Sequence, residues 1–511
     1  MFSLATPHTA RRLLVLQIIA VWFSLLAYSL IRTPIPAINE PHYLTKARHY
    51  VDRDWCDRDL FVTSQDAHVV FFQLIGPFAR RSLLMATIVG RLVGYLIFAI
   101  GWVLLTNQLL SLKWGGLASI GVFLIIGAIG NFSGEWVVGG IESKIPAYGF
   151  LFASLATLLG QRPAIAGCLS GLAVCLHPVV GGWHLVALCL LFAWSGFIAR
   201  ANESAIGPRR VAVFMIGCVV CSLPGLIPAI RLVTVASQHS RRGDYIQVFG
   251  RLKHHLDPMD FSVFSWLMYV ILAIAFLQLW RKQSENARFR LLKNYVLATA
   301  VIALAGLLVG LGPRPANQML FHEIRGALLK FYPFRLFDAV LPIGLSFLLI
   351  EFCCVRFSHG EKRRLAYGVL IAVLSTLILP FQDRYPDRLS SSKRRDWIEV
   401  CEWIRAETPA DSLVMTPTRN FAFKWYAERA EFVSYKDCPQ DADGIVEWNA
   451  RLNQVRTWAS DQYDDKQYSA DDLRILTREH GMTHVLAGHL GPMSIDPVFK
   501  NRSFRVYEIP D

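Results

Sequence analysis

Residues 13–31 read LLVLQIIAVWFSLLAYSLI, and Asn39-Glu40-Pro41-His42-Tyr43 follows shortly after. The first stretch carries no charge and is nearly long enough, at 1.5 Å per helical residue, to cross about 30 Å of hydrocarbon. The second returns the chain to polar surroundings. Asp52, Asp54, Asp57, Asp59 and Asp66 come next, before the chain turns apolar again. A membrane crossing followed by an acid-rich loop sets the reading of everything downstream.

Ten more apolar runs follow, at 84–107, 115–131, 145–160, 163–180, 183–199, 211–231, 262–280, 292–311, 337–355 and 365–382. Composition agrees. The chain is 53% hydrophobic and only 18% charged, with mean hydropathy +0.36, which is more apolar than a soluble protein of this length. The runs are unbroken rather than alternating, which excludes a transmembrane β-barrel. The expected fold class is a polytopic α-helical membrane protein with about eleven crossings. Arg11-Arg12 leads into the first run with no small-residue cleavage site, so that run reads as a retained helix.

The net charge of +13 fits Lys and Arg flanking membrane spans, and it also fits an anionic lipid partner. No nucleic-acid motif accompanies it. Arg11-Arg12, Arg200 with Arg209-Arg210, the Arg281–Lys293 stretch, and Arg356 with Lys362-Arg363-Arg364 fall on one side of the spans. That side is expected to be cytoplasmic, with the N-terminus inside and the C-terminal segment outside the cytoplasmic (inner) membrane. The outer pieces are then 32–83, 132–144, 232–261 and 312–336. The first includes a run from His68 to Gly76 that is too short to span and suits a helix lying on the membrane.

Composition shifts after residue 382. A polar linker over 383–395 precedes a soluble domain over 396–511. Trp397, Val400, Cys401 and Ile404 repeat at helical spacing. Ser412–Met415, Glu431–Tyr435, Thr483–Ala487 and Phe504–Ile509 read as strands, and Gly444–Ser460 and the Ser469-capped stretch to His480 as helices. This alternation points to a small α/β domain. Ten cysteines show no zinc spacing, and most lie in apolar spans. A disulfide among Cys56, Cys401 and Cys438 stays open.

Several residues could carry chemistry. A loop carboxylate can take a proton from an attacking hydroxyl. Glu40, close after the first span and fixed by Pro41, stands out, with Asp59 second. Glu142 and Lys144 sit at the lip of a span, where charged groups pair, snorkel or line a polar cavity. His177-Pro178 and Trp183-His184 place histidines in apolar surroundings, which calls for a partner whether the role is packing or proton handling. In Arg251-Leu252-Lys253-His254-His255-Leu256-Asp257, either a divalent metal or a lipid phosphate suits the clustered side chains. Arg335 and Asp338 share a helical face at the start of a span and read as a phosphate ligand or a structural pair. No nucleotide-binding glycine loop and no G-x-S-x-G motif occurs, so no cofactor is certain.

The layout resembles the GT-C glycosyltransferase superfamily. The elements that carry the resemblance are the Asn39–Tyr43 loop, the segment near 67–78, Glu142 with Lys144, and the C-terminal domain. Within that domain, Trp403-Ile404-Arg405, Thr408–Asp411 and Lys424-Trp425-Tyr426-Ala427-Glu428-Arg429 resemble outer domains attached to some of these enzymes. The chain is similar, more narrowly, to an uncharacterised bacterial polytopic membrane-protein family. The superfamily often has two adjacent acids where this chain has Asn39-Glu40. The resemblance implies an inverting transfer of sugar from a polyprenyl-phosphate donor to an acceptor at the outer face. Glu40 and Asp59 would be the catalytic carboxylates, Lys144, His255 and Arg335 the donor-phosphate ligands, and Glu142, His177 and Asp338 supporting residues. The competing readings are a transporter or flippase for a lipid or anionic solute, and a membrane scaffold without enzymatic activity.

Overall fold

A computed structural model describes residues 7–199, 207–234, 237–282, 287–377, 387–463 and 466–510. The chain forms two compact units. One comprises Met1–Thr33, Arg91–Ile230 and Gln247–Phe381, and the other Pro34–Gly90, Arg231–Ile246 and Gln382–Asp511.

The first unit is helical, and each expected span corresponds to a helix. Among the described residues, six helices are long and apolar enough to cross a membrane: His8–Arg32, Leu83–Leu109, Pro208–Thr234, Val263–Lys282, Arg288–Gly310 and Arg335–Arg356. Shorter apolar helices run over Gly115–Ile129, Lys144–Leu159 and Pro163–Leu176 and from Pro178, and His359–Thr376 follows the last long one. The end of the final expected span, 378–382, lies outside the described residues. The protein is an integral, polytopic α-helical membrane protein.

One boundary differs from the sequence reading. The run 163–180 ends as a helix at Leu176, and a new helix starts at Pro178. Pro178 has no N–H to donate and disfavours the α conformation in the residue before it. His177 accordingly sits at φ −142° and ψ 91°, so its imidazole leaves from a break rather than from a continuous span. Elsewhere small residues bring helices together. A Cβ on Gly101 would come within 2.0 Å of the Gly149 carbonyl oxygen, so Leu83–Leu109 and Lys144–Leu159 cross backbone to backbone. Beside that crossing, Trp102 packs edge-on against Phe347, ring centroids 4.9 Å apart.

The second unit contains a five-stranded sheet ordered β2-β1-β3-β5-β4, where β1 is Leu413–Met415, β2 Ala430–Glu431, β3 His484–Ala487, β4 Phe499–Lys500 and β5 Arg505–Glu508. β1 runs parallel to β2 and β3, and β5 antiparallel to β3 and β4. Strand alternation divides the side chains between two cores. Val414, Leu486 and Val506 face Trp397, Val400, Cys401 and Ile404 of the helix Ser391–Glu407. Leu413, Met415, Val485, Ala487 and Tyr507 face the other way, onto Trp448, Trp458, Leu473 and Leu476. Cys56, Phe61 and Val62, from the segment 32–83 between the first two membrane helices, are buried in that second core. Burying side chains such as Phe61 and Val62 stabilises by about 1.5–3 kcal/mol each. Part of that segment is therefore built into the core of the unit that holds the sheet.

The caps follow the sequence. Ser469 and Asp472 form a capping box, and Gly481 closes the helix at φ +68°. The helix Ser391–Glu407 starts inside the expected linker, because the Ser390 hydroxyl accepts the Lys393 N–H; residues 383–386 of that linker lie outside the description. The strand expected over Glu431–Tyr435 is shortened to Ala430–Glu431, although Phe432 still donates to the Val414 carbonyl at 3.0 Å. Cys56 and Cys401 are free buried thiols in different cores.

Candidate functional site

In the membrane unit, charged groups gather where helices begin and break. The loop Phe132-Ser133-Gly134-Glu135 is held by one carboxylate. Asp338 accepts the backbone N–H groups of Phe132, Ser133 and Glu135 at 2.6, 2.8 and 2.9 Å. The Ser133 hydroxyl donates to it at 3.0 Å, and the Tyr269 hydroxyl donates to its other oxygen. Gly134 makes the loop geometrically feasible: its φ is +78°, and a Cβ there would stand 2.3 Å from His255 Cε1. His255 donates from Nδ1 to the Ser133 carbonyl at 2.5 Å. Burial, reinforced by His254, holds His255 well below the ordinary histidine value. At neutral pH it is therefore an uncharged imidazole with Nδ1–H committed to the loop.

Held this way, the loop presents Glu135 as a hub. Its Oε2 meets Arg335 Nε at 3.1 Å and Lys144 Nζ at 3.4 Å. The Tyr148 hydroxyl donates to Oε1 at 3.2 Å. Lys144 also pairs with Glu142 at 3.2 Å and lies 4.3 Å from the centre of the Trp136 ring. Arg335 stacks 4.0 Å from the Tyr332 ring centre, and its Nη1 lies 3.4 Å from His177 Nε2. Lys144, Glu135, Glu142, His177 and Asp338 are buried, whereas the Arg335 side chain is 17% exposed. Arg335 is thus the more exposed of the two cations paired with Glu135.

The structure brings Lys144, Glu142, His177, Arg335, Asp338 and His255 into one connected cluster. Two assignments change in character. Asp338 collects loop N–H groups, and the acid paired with Arg335 Nε is Glu135. His255 braces the loop as a neutral donor, so it lacks the charge expected of a phosphate ligand. Glu135 lies in the same 132–144 piece as Glu142 but received no role from the sequence, and Tyr148 gave no signal. His184 is satisfied inside the bundle, its Nε2 3.1 Å from the Ser170 hydroxyl and its Nδ1 2.7 Å from that of Tyr295.

The second unit holds the other candidates. Glu40 opens the helix Glu40–Val51, with Pro41 in its first turn. It is fully buried, and its Oε2 accepts the Ala37 N–H at 2.7 Å. Asn39, just before it, accepts from Lys436 Nζ at 2.5 Å. Asp59, expected as the second catalytic carboxylate, caps the short helix Leu60–Thr63. Its Oδ1 accepts the N–H groups of Phe61 and Val62, while its Oδ2 takes the Glu431 N–H at 3.1 Å and Lys424 Nζ at 3.1 Å. Both oxygens are committed.

Lys424 is the centre of this network. Besides Asp59, it meets Asp437 at 2.8 Å and Glu431 at 3.3 Å, and His42 Nδ1 lies 3.0 Å from Asp437. Burial would lower Lys424, but Asp437, Asp59 and Glu431 hold its ammonium well above the ordinary lysine value. Burial pushes the Glu431 carboxyl up to about 7 against the pull of Lys424. It would do the same to Asp437, but Lys424 and His42 hold that carboxyl below the usual range. Arg48 pairs with Glu428 at 2.8 Å, and the Ala67 N–H donates to Gln440 at 3.3 Å. Residues 424–440 thus grip residues 39–67 at several points. Among the described residues, no group of three His, Cys, Asp or Glu side chains is placed to hold a metal ion.

Residues 395–455 match a family described as a domain of unknown function, DUF6798. No curated protein matches the chain. Among solved structures, the chain is similar to ArnT from Cupriavidus metallidurans bound to undecaprenyl phosphate, at 13% identity and a TM-score of 0.48, covering 96% of this chain and 97% of that one. It is similar to the same protein in the apo state with the same identity and coverage and a TM-score of 0.49.

Proposed function

We propose that this protein is a membrane glycosyltransferase that moves a sugar from a polyprenyl-phosphate donor to an acceptor at the outer face of the cytoplasmic membrane. The N-terminus would be cytoplasmic and the domain over 396–511 outside. The observation that supports this is the cluster at the ends of membrane helices, where the partly exposed Arg335 is held in place by Glu135 and Tyr332. A guanidinium fixed on one edge and stacked on a ring keeps the fork geometry that pairs with phosphate oxygens. Lys144 adds a second positive charge to the same group. One of the ArnT structures binds undecaprenyl phosphate, a ligand of this class; the case for this chain stands on its own residues.

In the proposed reaction an acceptor hydroxyl attacks the anomeric carbon, the bond from that carbon to the phosphate oxygen breaks, and the polyprenyl phosphate leaves with the electron pair. The hydroxyl proton passes to a carboxylate base, the role for which the sequence singles out Glu40, and configuration at the sugar inverts. Arg335 and Lys144 stabilise the charge gathering on the departing phosphate. Asp338, His255 and Gly134 shape the loop that sets Glu135, and His177 and Glu142 flank the two cations. A divalent metal is compatible with the step and is not required by it.

Lipid analysis of the purified protein tests the reading. A polyprenyl-phosphate sugar retained by the wild type and absent from Arg335→Gln supports it. Equal retention by both proteins removes Arg335 from the site.

A further inference from the structure

The outer segment 312–336 carries a feature that sugar transfer does not use. The short helix His322–Leu329 buries Gly326 and Leu329 and turns Ile324 and Leu328 outward, 60% and 53% exposed. Leu320 and Phe321 before it, and Phe331 after it, are exposed as well. Four-residue spacing puts Ile324 and Leu328 on one face of the helix, and Leu320 and Phe321 continue the apolar surface through the turn before it. A contiguous apolar strip of this kind is uncommon on a surface that meets water alone.

The helix is tied to the end of a membrane span. Arg325 donates to the carbonyls of Val309 and Leu311 at 3.2 and 2.8 Å, and Arg314 donates to that of Gly310 at 3.0 Å. A Cβ on Gly310 would meet Leu329 Cδ1 at 3.7 Å. The same turn carries Leu308 and Leu311, 73% and 49% exposed, at the end of the apolar helix Arg288–Gly310. Trp183 Nε1 donates to the Phe331 carbonyl at 2.6 Å and fixes the far end of the stripe. From 312 to 331 the segment carries Arg314, Arg325 and Lys330 against the single acid Glu323; Arg314 is paired with Asp257, so the positive balance that suits anionic headgroups rests on Arg325 and Lys330.

We propose that the helix His322–Leu329 is a membrane-surface helix whose apolar stripe from Leu320 to Phe331 lies in the headgroup–acyl boundary of the bilayer. The occupant of the exposed face is lipid. This assignment stands apart from the sugar-transfer reading, because it needs neither donor nor acceptor.

The test uses the full-length protein in nanodiscs containing anionic lipid, with an environment-sensitive fluorescent amino acid placed by codon reassignment at Ile324 or at Leu328. Asp471, 85% exposed in the C-terminal domain, is the control position. The expected result is blue-shifted emission at 324 and 328, quenching by lipids carrying a shallow nitroxide, and at least threefold less quenching by iodide than at 471. Iodide quenching equal to that at 471, with no nitroxide effect, overturns the proposal. Protection from iodide without nitroxide quenching also overturns it, because the face would then be covered by protein, such as a second copy of the chain.

Discussion

Replacing Lys424 by Met keeps the stem and removes the charge that three carboxylates share. Asp59, Glu431 and Asp437 all lie within 3.3 Å of Nζ, and the lysine is 2% exposed. Removing one partner of a buried ion pair costs about 3–5 kcal/mol, because it strands charge in a low-dielectric site. The expected loss in K424M is therefore at least about 3 kcal/mol, read as weaker hydrogen-exchange protection in β1, β3 and the helix Ala442–Asp461. Adding E431Q to K424M should recover part of it, since fewer carboxyls are left uncompensated. The pH dependence supplies a second reading. Glu431 titrates near 7 when folded, against an ordinary 4.5. The folded state therefore keeps a proton that the unfolded state has already lost. The stability this gives is fully present below the ordinary value and is lost as pH rises through about 7, a change of about 3 kcal/mol. Asp437, whose folded value is lowered, loses its contribution only as pH falls below the usual carboxylate range. The wild type should thus weaken between pH 5 and 8, and E431Q should flatten that slope. A K424M protein within 1 kcal/mol of the wild type, with an unchanged pH profile, would refute the reasoning.

Gly134→Ala forces a side chain into a positive-φ position 2.3 Å from the His255 ring. It should cost about 1–3 kcal/mol and loosen the loop, seen as faster exchange of the Glu135 amide. Asp338→Asn turns an anionic acceptor of three backbone N–H groups into a neutral one, which weakens charge-assisted bonds by about half. Titration with undecaprenyl phosphate should then show at least a tenfold loss of affinity, with undecaprenol binding unchanged. Arg335→Lys keeps the charge but loses the fork and the ring stacking, so it should behave like a milder Arg335→Gln in the same titration.

Apolar runs made the spans legible, because a bilayer demands length and continuity that few other structures need. The break at His177 was written in Pro178, yet the hydrophobic run continued past it and hid the boundary. Caps such as Ser469 and Gly481 were readable because they act locally. β4 was not: two residues at a sheet edge carry no periodicity. The site divides along the same line. Lys144 with Glu142, Arg335 with Asp338, and His177 were suspected locally, since charge in an apolar setting needs a reason. Glu135, the partner shared by Lys144 and Arg335, was obscured, because it is a loop acid among others and only the fold places it. Asp59 was chosen for its position along the chain, but its cap bonds and the distant Lys424 could not be seen from that position. Lys424 itself was visible only as part of a basic and aromatic run, with its three carboxylates spread from residue 59 to residue 437.

The central claim is donor turnover governed by Arg335 and Glu40. Protein reconstituted with a polyprenyl-phosphate sugar and a mixed pool of acceptor lipids should release sugar-free polyprenyl phosphate, followed by mass spectrometry of the extracted lipid. The account predicts that Arg335→Gln and Glu40→Gln each slow this release at least a hundredfold, with Arg335→Gln also weakening donor binding and Glu40→Gln leaving it intact. Release at the wild-type rate in both variants would contradict it.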